Sequence, residues 1–339
     1  MEEKEEQTNT DEWLKDLPLQ TENPAFNAEE MIACTKCART NPPTRLKCFY
    51  CDAELDISEA QSGFLRPNLR KLEVWEKGFN LIFQNKNEDF DESKLPEIAK
   101  MLKLEKDFLQ KMFNEQKTLP LARAEAEKEA EIVRKRLQEF GIETTILSDE
   151  SLAVENPPKR LRGIEFWDDK IIFVLFNKDE IIEISNDDLI LIVSGAIFER
   201  KVEAVEKHNK KGENKLLETD ETTSDEFLID IYSRQNKLGY RIFAKGFDFS
   251  SLETEKQLLA VENMRKLVKK LREVAPNAKF VDDYLQARES LGGIWEVELK
   301  TDSQGLKRKG FGNFNLSNIT IADNKIQFTK YSRLQREII

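Results

Sequence analysis

Apolar positions along this chain change their spacing several times, and each change marks an element. GFNLIF (78–83) is a short apolar run of strand length, followed by the polar loop QNKNEDFDESK. LPEIAKML places Ile98, Met101 and Leu102 on one side, and EKDFLQKMFNEQ places Phe108, Leu109, Met112 and Phe113 at helical spacing. TLPLARA returns to strand character. EAEKEAEIVRKRLQEFG carries the stripe Ala126, Ala130, Val133, Leu137 and Phe140, and Gly141 is its stop signal. IETTILS closes the series, so residues 78–149 predict the order β-α-α-β-α-β.

The Pro-rich ENPPKR (155–160) marks a boundary. Short strands follow: RLRGIEFW, KIIFVLF, EIIEIS, LILIVSG and AIFERKVEAVE, with Asp168-Asp169 as a turn between the first two. The charged stretch KHNKKGENK with LLETDETTSDE reads as a loop, after which FLIDIYS and GYRIFA resume the strands. In EKQLLAVENMRKLVKKLREVAP, Leu258, Val261, Met264, Leu267, Val268 and Leu271 predict one inward stripe of a helix ended by Pro276. VDDYLQARESL predicts another helix. GIWEVEL, GFGNFNLSNITI and NKIQFTKYSRL predict a small C-terminal sheet, with turns at Asp302–Gly305 and Ala322–Asn324.

The domain plan is therefore an acidic disordered tail (1–30), a cysteine module (31–57), a linker (58–77), an α/β domain (78–149), a strand-rich domain with a C-terminal helix (158–291) and a C-terminal β extension (292–339). The linker has apolar anchors Phe64, Leu65, Leu69, Leu72, Val74 and Trp75, so it packs along a surface. In the tail, Trp13, Leu14, Leu17 and Leu19 sit between acids, a pattern that can dock on a partner groove.

Composition sharpens the plan. A chain of 339 residues with 39% hydrophobic and 35% charged side chains has the apolar content to fold, and its length suits two or three domains. The longest apolar runs, IIFVLF and LILIV, fall far short of the ~20 residues of a membrane helix, so no membrane insertion is expected. The acidic start shows no leader, which points to a cytoplasmic protein with reduced thiols. Residues 1–30 carry ten acids against Lys4 and Lys15, so that short segment holds −8 of the chain's net −11. The body is close to neutral and lacks the basic field of a general nucleic-acid binder.

All four cysteines fall in CTKCARTNPPTRLKCFYC, spaced Cys34-x2-Cys37-x10-Cys48-x2-Cys51. Two thiolate pairs on tight turns can meet one ion tetrahedrally, and metal supplies the folding energy that so small a segment lacks. Structural zinc is the expectation; rubredoxin-like iron and redox-active pairs are the alternatives. A redox pair starts a helix beside a strand, whereas both pairs here lie in polar loop sequence. Cys-x2-Cys-x3-Asn-x6-Cys-x2-Cys, with Asn41 in place, resembles the Ran-binding-protein-type zinc finger (residues 32–53). The resemblance implies that the Asn41 side chain braces the loop between the knuckles, and that the finger binds ubiquitin or single-stranded RNA. Ala38-Arg39 stand where the ubiquitin branch has Thr-Phe, and Ile32 stands where the RNA branch has Trp. Arg39, Arg45, Phe49 and Tyr50, with Trp13 of the tail, are the candidate partner or RNA contacts.

The 78–149 segment, with Pro120, the helix over 124–140 and Gly141, resembles the C-terminal domain of the ribosomal stalk protein and the related ClpS adaptor fold. The strands and helix of 158–275, with SNDDLILIVSGAIFERK, resemble bacterial pleckstrin-homology-like domains. These resemblances imply a multidomain α+β protein: a small four-cysteine zinc finger, a β-α-α-β-α-β domain, and an antiparallel pleckstrin-homology-like barrel with a C-terminal helix. The single histidine, His208, rules against His-based triads. Gly310-Phe311-Gly312 is not a phosphate loop. Asp168/Asp169, Asp187/Asp188 and Asp282/Asp283 sit at turns or helix starts, where Asp caps. The expectation is a non-enzymatic adaptor acting through protein–protein contacts with no small-molecule substrate; the alternative is single-stranded RNA binding through the finger, near the ribosome.

Overall fold

The chain divides into two units, Met1–Arg66 and Pro67–Ile339, and they are held together differently. The structure is a computed structural model describing residues 26–27, 29–58, 69–87, 90–115, 117–177, 180–208, 214–310 and 313–339. For residues 204–208, 214–219, 304–310 and 313–317 it describes the backbone alone. Trp13, Phe64 and Leu65 lie outside the described residues. In the first unit two two-residue strands, β1 (Ile32–Ala33) and β2 (Thr40–Asn41), pair antiparallel. Among the described residues its apolar core is Ile32, Leu55 and the buried Cys34 and Cys48, with Ala53 and Ile57 packed against them.

The second unit is mixed α+β with several sheets. Its first part runs β3 (Phe79–Lys86), α1 (Leu95–Leu102), α2 (Lys106–Glu115), β4 (Pro120–Ala124), α3 (Glu127–Glu139) and β5 (Ile142–Ser148). β3 is the central strand, flanked antiparallel by β4 and β5. Ile98, Leu102, Leu109, Met112, Phe113, Ala130, Val133 and Leu137 point inward, as their spacing requires. Gly141 holds φ +79 between α3 and β5, a conformation that disfavours side chains with a Cβ. Leu69 and Leu72 are buried while Trp75 is exposed, so only part of the apolar linker packs.

The second part contains β6 (Lys159–Phe166), β7 (Lys170–Leu175), β8 (Ile181–Ser185), β9 (Leu189–His208), β10 (Asn214–Ser233), β11 (Asn236–Phe243), α5 (Ala260–Val274), β12 (Lys279–Val281), α6 (Tyr284–Gly292), β13 (Glu298–Gly310), β14 (Asn313–Asp323) and α7 (Lys325–Glu337); the one-turn α4 (Asp149–Leu152) precedes them. The strand order is β13-β14-β9-β10-β11-β6-β7-β8, with β12 also on β9. β6 and β11 pair parallel and the other ordered neighbours antiparallel. No closed barrel forms among the described residues. The reason is visible at β9: β12 takes its edge at Leu191–Val193 and β14 takes the same edge beyond Glu199, so β8 finds no place there.

Three further expectations are corrected. The charged stretch after His208 is not a long loop; β9 and β10 are 20-residue strands paired almost end to end. Asp302–Gly305 is not a turn but an irregularity inside β13. NKIQFTKYSRL is not a strand: it forms α7, buried on all sides from Gln327 to Gln335. Phe328, Tyr331 and Leu334 recur every three residues on α7 and enter the main core with Leu191, Tyr232 and Tyr284. That core also holds Leu81, Phe113 and Leu137, so the α/β part and the large sheet share one apolar interior. Gly195 of β9 is required there, because a Cβ would lie 2.6 Å from a ring carbon of Phe328.

Burying a helix that carries Lys330, Arg333, Gln327 and Ser332 demands partners for each. Lys330 Nζ donates to Asp149 (2.8 Å), which also accepts from Arg123 (2.6 Å), Gly78 N and Asn80. Arg333 donates to the carbonyls of Leu152, Ala153, Asn156 and Leu238. Ser332 meets the Tyr232 hydroxyl at 2.8 Å, and Gln327 Nε2 donates to the carbonyl of Trp295. Arg241, paired with Asp230 through two bonds of 2.6 and 2.7 Å, reaches Thr329 of α7. Polar bonds thus fix α7 to both parts.

Candidate metal centre

The finger is built from two turns with the same backbone pattern. In the first, Ala38 N donates to Cys34 O and Cys34 N to Arg39 O; in the second, Asp52 N donates to Cys48 O and Cys48 N to Ala53 O. Ala38 (φ 57) and Asp52 (φ 56) occupy the left-handed region immediately after the second cysteine of each pair. That conformation is costly for residues with a Cβ, and here it reverses the chain so that both thiols of a turn face the same point.

Cys34 and Cys51 sulfurs lie 3.6 Å apart, as do those of Cys37 and Cys48. All four ligand atoms fall within 4.8 Å of one another. A disulfide needs ~2.05 Å, whereas a tetrahedron with metal–sulfur bonds of ~2.3 Å has edges of about 3.8 Å. The four thiols therefore fit one tetrahedral metal ion. Among the described residues this is the one cluster of three or more His, Cys, Asp or Glu with such geometry.

Asn41, fully buried, ties the two turns together. Its Nδ2 donates to Arg39 O (3.0 Å) and to Cys48 Sγ (3.4 Å), and its Oδ1 accepts from Phe49 N (2.8 Å). Cys48 also accepts from Tyr50 N at 3.4 Å. Burial opposes ionisation of Cys48, but the N–H groups of Tyr50 and Cys51 and the Asn41 amide outweigh it and bring the thiol down to about 6. The neighbouring N–H of Cys37 likewise lowers Cys34 against the effect of burial. At Cys51 the N–H of Ala53 lowers the thiol, yet burial and the three surrounding sulfurs push it up to about 12. Four crowded sulfurs cannot all carry charge until a cation joins them.

The aromatic pair between Cys48 and Cys51 does not cover the sulfurs. Phe49 is 69% exposed and Tyr50 52% exposed. Their rings stand edge to face at 5.5 Å. Arg39 lies over Tyr50 (4.6 Å to the ring centre) and Arg45 over Phe49 (5.0 Å). Ile32 is instead buried beneath, in the finger core. All four candidate contact residues of the finger thus form one exposed row. Sequence spacing did not reveal it, because Arg39 and Tyr50 come from different turns.

His208 ends β9, and its side chain lies outside the described residues. Asp187/Asp188 lie within a single 3-10 turn whose N-cap is Ser185, and Asp283 precedes α6, but no side chain caps either start; Asp283 instead accepts from the Tyr331 hydroxyl. A surface cleft of about 890 Å³ between the β6–β7 hairpin and the end of α5 is lined by Trp167, Asp168, Lys170, Glu183 and Glu273; Lys170 and Glu183 pair at 2.7 Å. The buried Asp149–Lys330–Arg123 group was not legible in the sequence, where Lys330 lies 181 residues from Asp149 and Arg123 lies 26. No helix among the described residues is long and apolar enough to cross a membrane. No family model matches this sequence, and neither the curated proteins nor the solved structures searched contain a match to it.

Proposed function

We propose that this chain is a zinc-dependent adaptor that acts through protein–protein contacts and performs no catalysis. The observation that carries this reading is the exposed Arg39–Tyr50–Phe49–Arg45 row on a finger whose fold uses none of those four side chains in its core. Tyr and Arg are the residues that dominate binding hot spots. Zinc on Cys34, Cys37, Cys48 and Cys51 would supply folding energy and leave the aromatic rings for a partner.

A second reading, single-stranded RNA binding, is favoured by the same row, since rings stacked with guanidinium groups offer platforms for unpaired bases. The chain's net charge of −11 weighs against it. Cross-linked capture with the full chain and a Phe49→Ala/Tyr50→Ala variant, zinc content measured in both, separates the two. A protein captured by the wild type and lost in the variant at equal zinc supports the adaptor. Salt-dependent binding of labelled single-stranded RNA, lost in the same variant without protein capture, supports the second reading. Neither result would leave the finger a mere structural staple.

A further inference from the structure

The apolar spacing before α5 predicts that Leu258 and Val261 point inward, and the structure places them outward. α5 starts at Ala260. Leu258 is fully exposed, Leu259 is 67% exposed, and Val261 is exposed at the first turn. Large apolar side chains in so solvated a position call for an explanation beyond packing.

The backbone beneath them is firmly held. Gln257 N donates to Asn263 Oδ1 at 2.6 Å, and Asn263 Nδ2 donates back to Gln257 O at 2.8 Å; Asn263 itself is buried. Lys266 Nζ donates to Glu255 O (2.6 Å) and Lys270 Nζ to Ser251 O (2.7 Å). Glu253 is fixed at φ 48, ψ −119, a backbone conformation that persists only where its surroundings impose it. The loop is a rigid mount, with the two leucines at its tip.

The tip adjoins a basic stripe. Val261, Arg265, Lys269 and Arg272 recur at intervals of four, four and three, which sets them on one face of α5, and all are exposed. From Glu253 to Glu273 the sequence holds six cations against four acids, a local excess of +2 in a chain of net charge −11. The pairs Arg265–Glu262, Lys269–Glu273 and Arg272–Asp282 are solvent-exposed, and such pairs exchange readily for other anions.

We propose that the Leu258–Leu259 tip and the α5 stripe form a peripheral docking surface for an anionic phospholipid bilayer. A projecting apolar tip fits a soft apolar phase, and the cations behind it match headgroup phosphates in sign. The leucines enter the headgroup–acyl boundary while Arg265, Lys269 and Arg272 lie against the phosphates. No helix among the described residues is long and apolar enough to cross the membrane. The surface is independent of the finger.

The test is co-sedimentation of the full, metal-loaded chain with phosphatidylcholine vesicles, with and without phosphatidylglycerol, at low and high salt. Binding is expected on the anionic vesicles and weakened by salt. Leu258→Ser with Leu259→Ser should lower partitioning roughly tenfold or more, and Arg265→Glu with Lys269→Glu should lower it by a similar factor, roughly tenfold, and flatten its salt dependence. Unchanged melting temperatures confirm that these exposed positions leave the fold intact. Absence of binding to anionic vesicles, equal binding to neutral ones, or full binding by the leucine variant would overturn the proposal. So would a photo-cross-linker at Leu258 that captures a protein while vesicles capture nothing.

Discussion

Replacing Asn41 with Ala tests how the finger works. The side chain makes three contacts from a fully buried position: to Arg39 O, Cys48 Sγ and Phe49 N. Each contributes about 1 kcal/mol, so the variant, which leaves the Phe49 N–H without its Asn41 acceptor, loses about 3 kcal/mol. The finger has almost no apolar core of its own. If a metal ion fills the four-cysteine site, its binding supplies folding energy, and a loss of folding energy would appear as a loss of metal affinity. At 1.4 kcal/mol per factor of ten, the apparent affinity should fall on the order of 100-fold. Competition with a chromophoric chelator on the full chain at neutral pH measures this directly. Asn41→Asp is the second arm: it keeps the acceptor for Phe49 N but sets a carboxylate beside the Cys48 sulfur, and should bind at least as weakly. An Asn41→Ala protein within about threefold of wild type would refute the bracing role.

Two predictions concern the larger unit. Asp149→Ala leaves Lys330 and Arg123 buried without their carboxylate and should cost about 3–5 kcal/mol in urea unfolding, whereas Lys330→Met, which keeps the Asp149–Arg123 pair, should cost clearly less; equal losses in both variants would refute the account. Burial alone would raise the Asp149 carboxyl, but Lys330 and Arg123 outweigh it and hold it below its ordinary 3.8. Its contribution is therefore present above about pH 4 and lost as pH falls through the lowered folded value, so the wild type should show a steeper acid loss of stability than Asp149→Ala. Gly195→Ala drives a methyl into Phe328 and Tyr284 and should cost about 1–3 kcal/mol by thermal unfolding; a neutral result would mean that α7 can shift.

The centre was legible in the sequence because its information is local. Each cysteine pair spans four residues, Asn41 sits at a fixed offset, and turn geometry does the rest. The helices α1, α2 and α3 were legible for a similar reason: each buries one face, so an apolar period records which residues turn inward. α7 escaped because it has no outer face. Its Lys330, Arg333 and Ser332 bond to Asp149, backbone carbonyls and Tyr232, between 95 and 181 residues away in sequence, which no local pattern encodes.

 The same long-range contacts decided that the sheet stays open, since β12 and β14 reach the edge of β9 from about a hundred residues downstream.

What the sequence determined by itself, then, was the four-cysteine cluster that fits a metal, Asn41 between its turns and the one-faced helices of the α/β part, all written within a few turns of chain. Only the tertiary structure decided three other features. It merged the α/β part and the large sheet around a polar helix. It turned Phe49 and Tyr50 outward beneath two arginines. It also lifted Leu258 and Val261 into solvent beside Leu259, because a backbone clamp at Asn263 overrides the apolar spacing that would have turned those two inward.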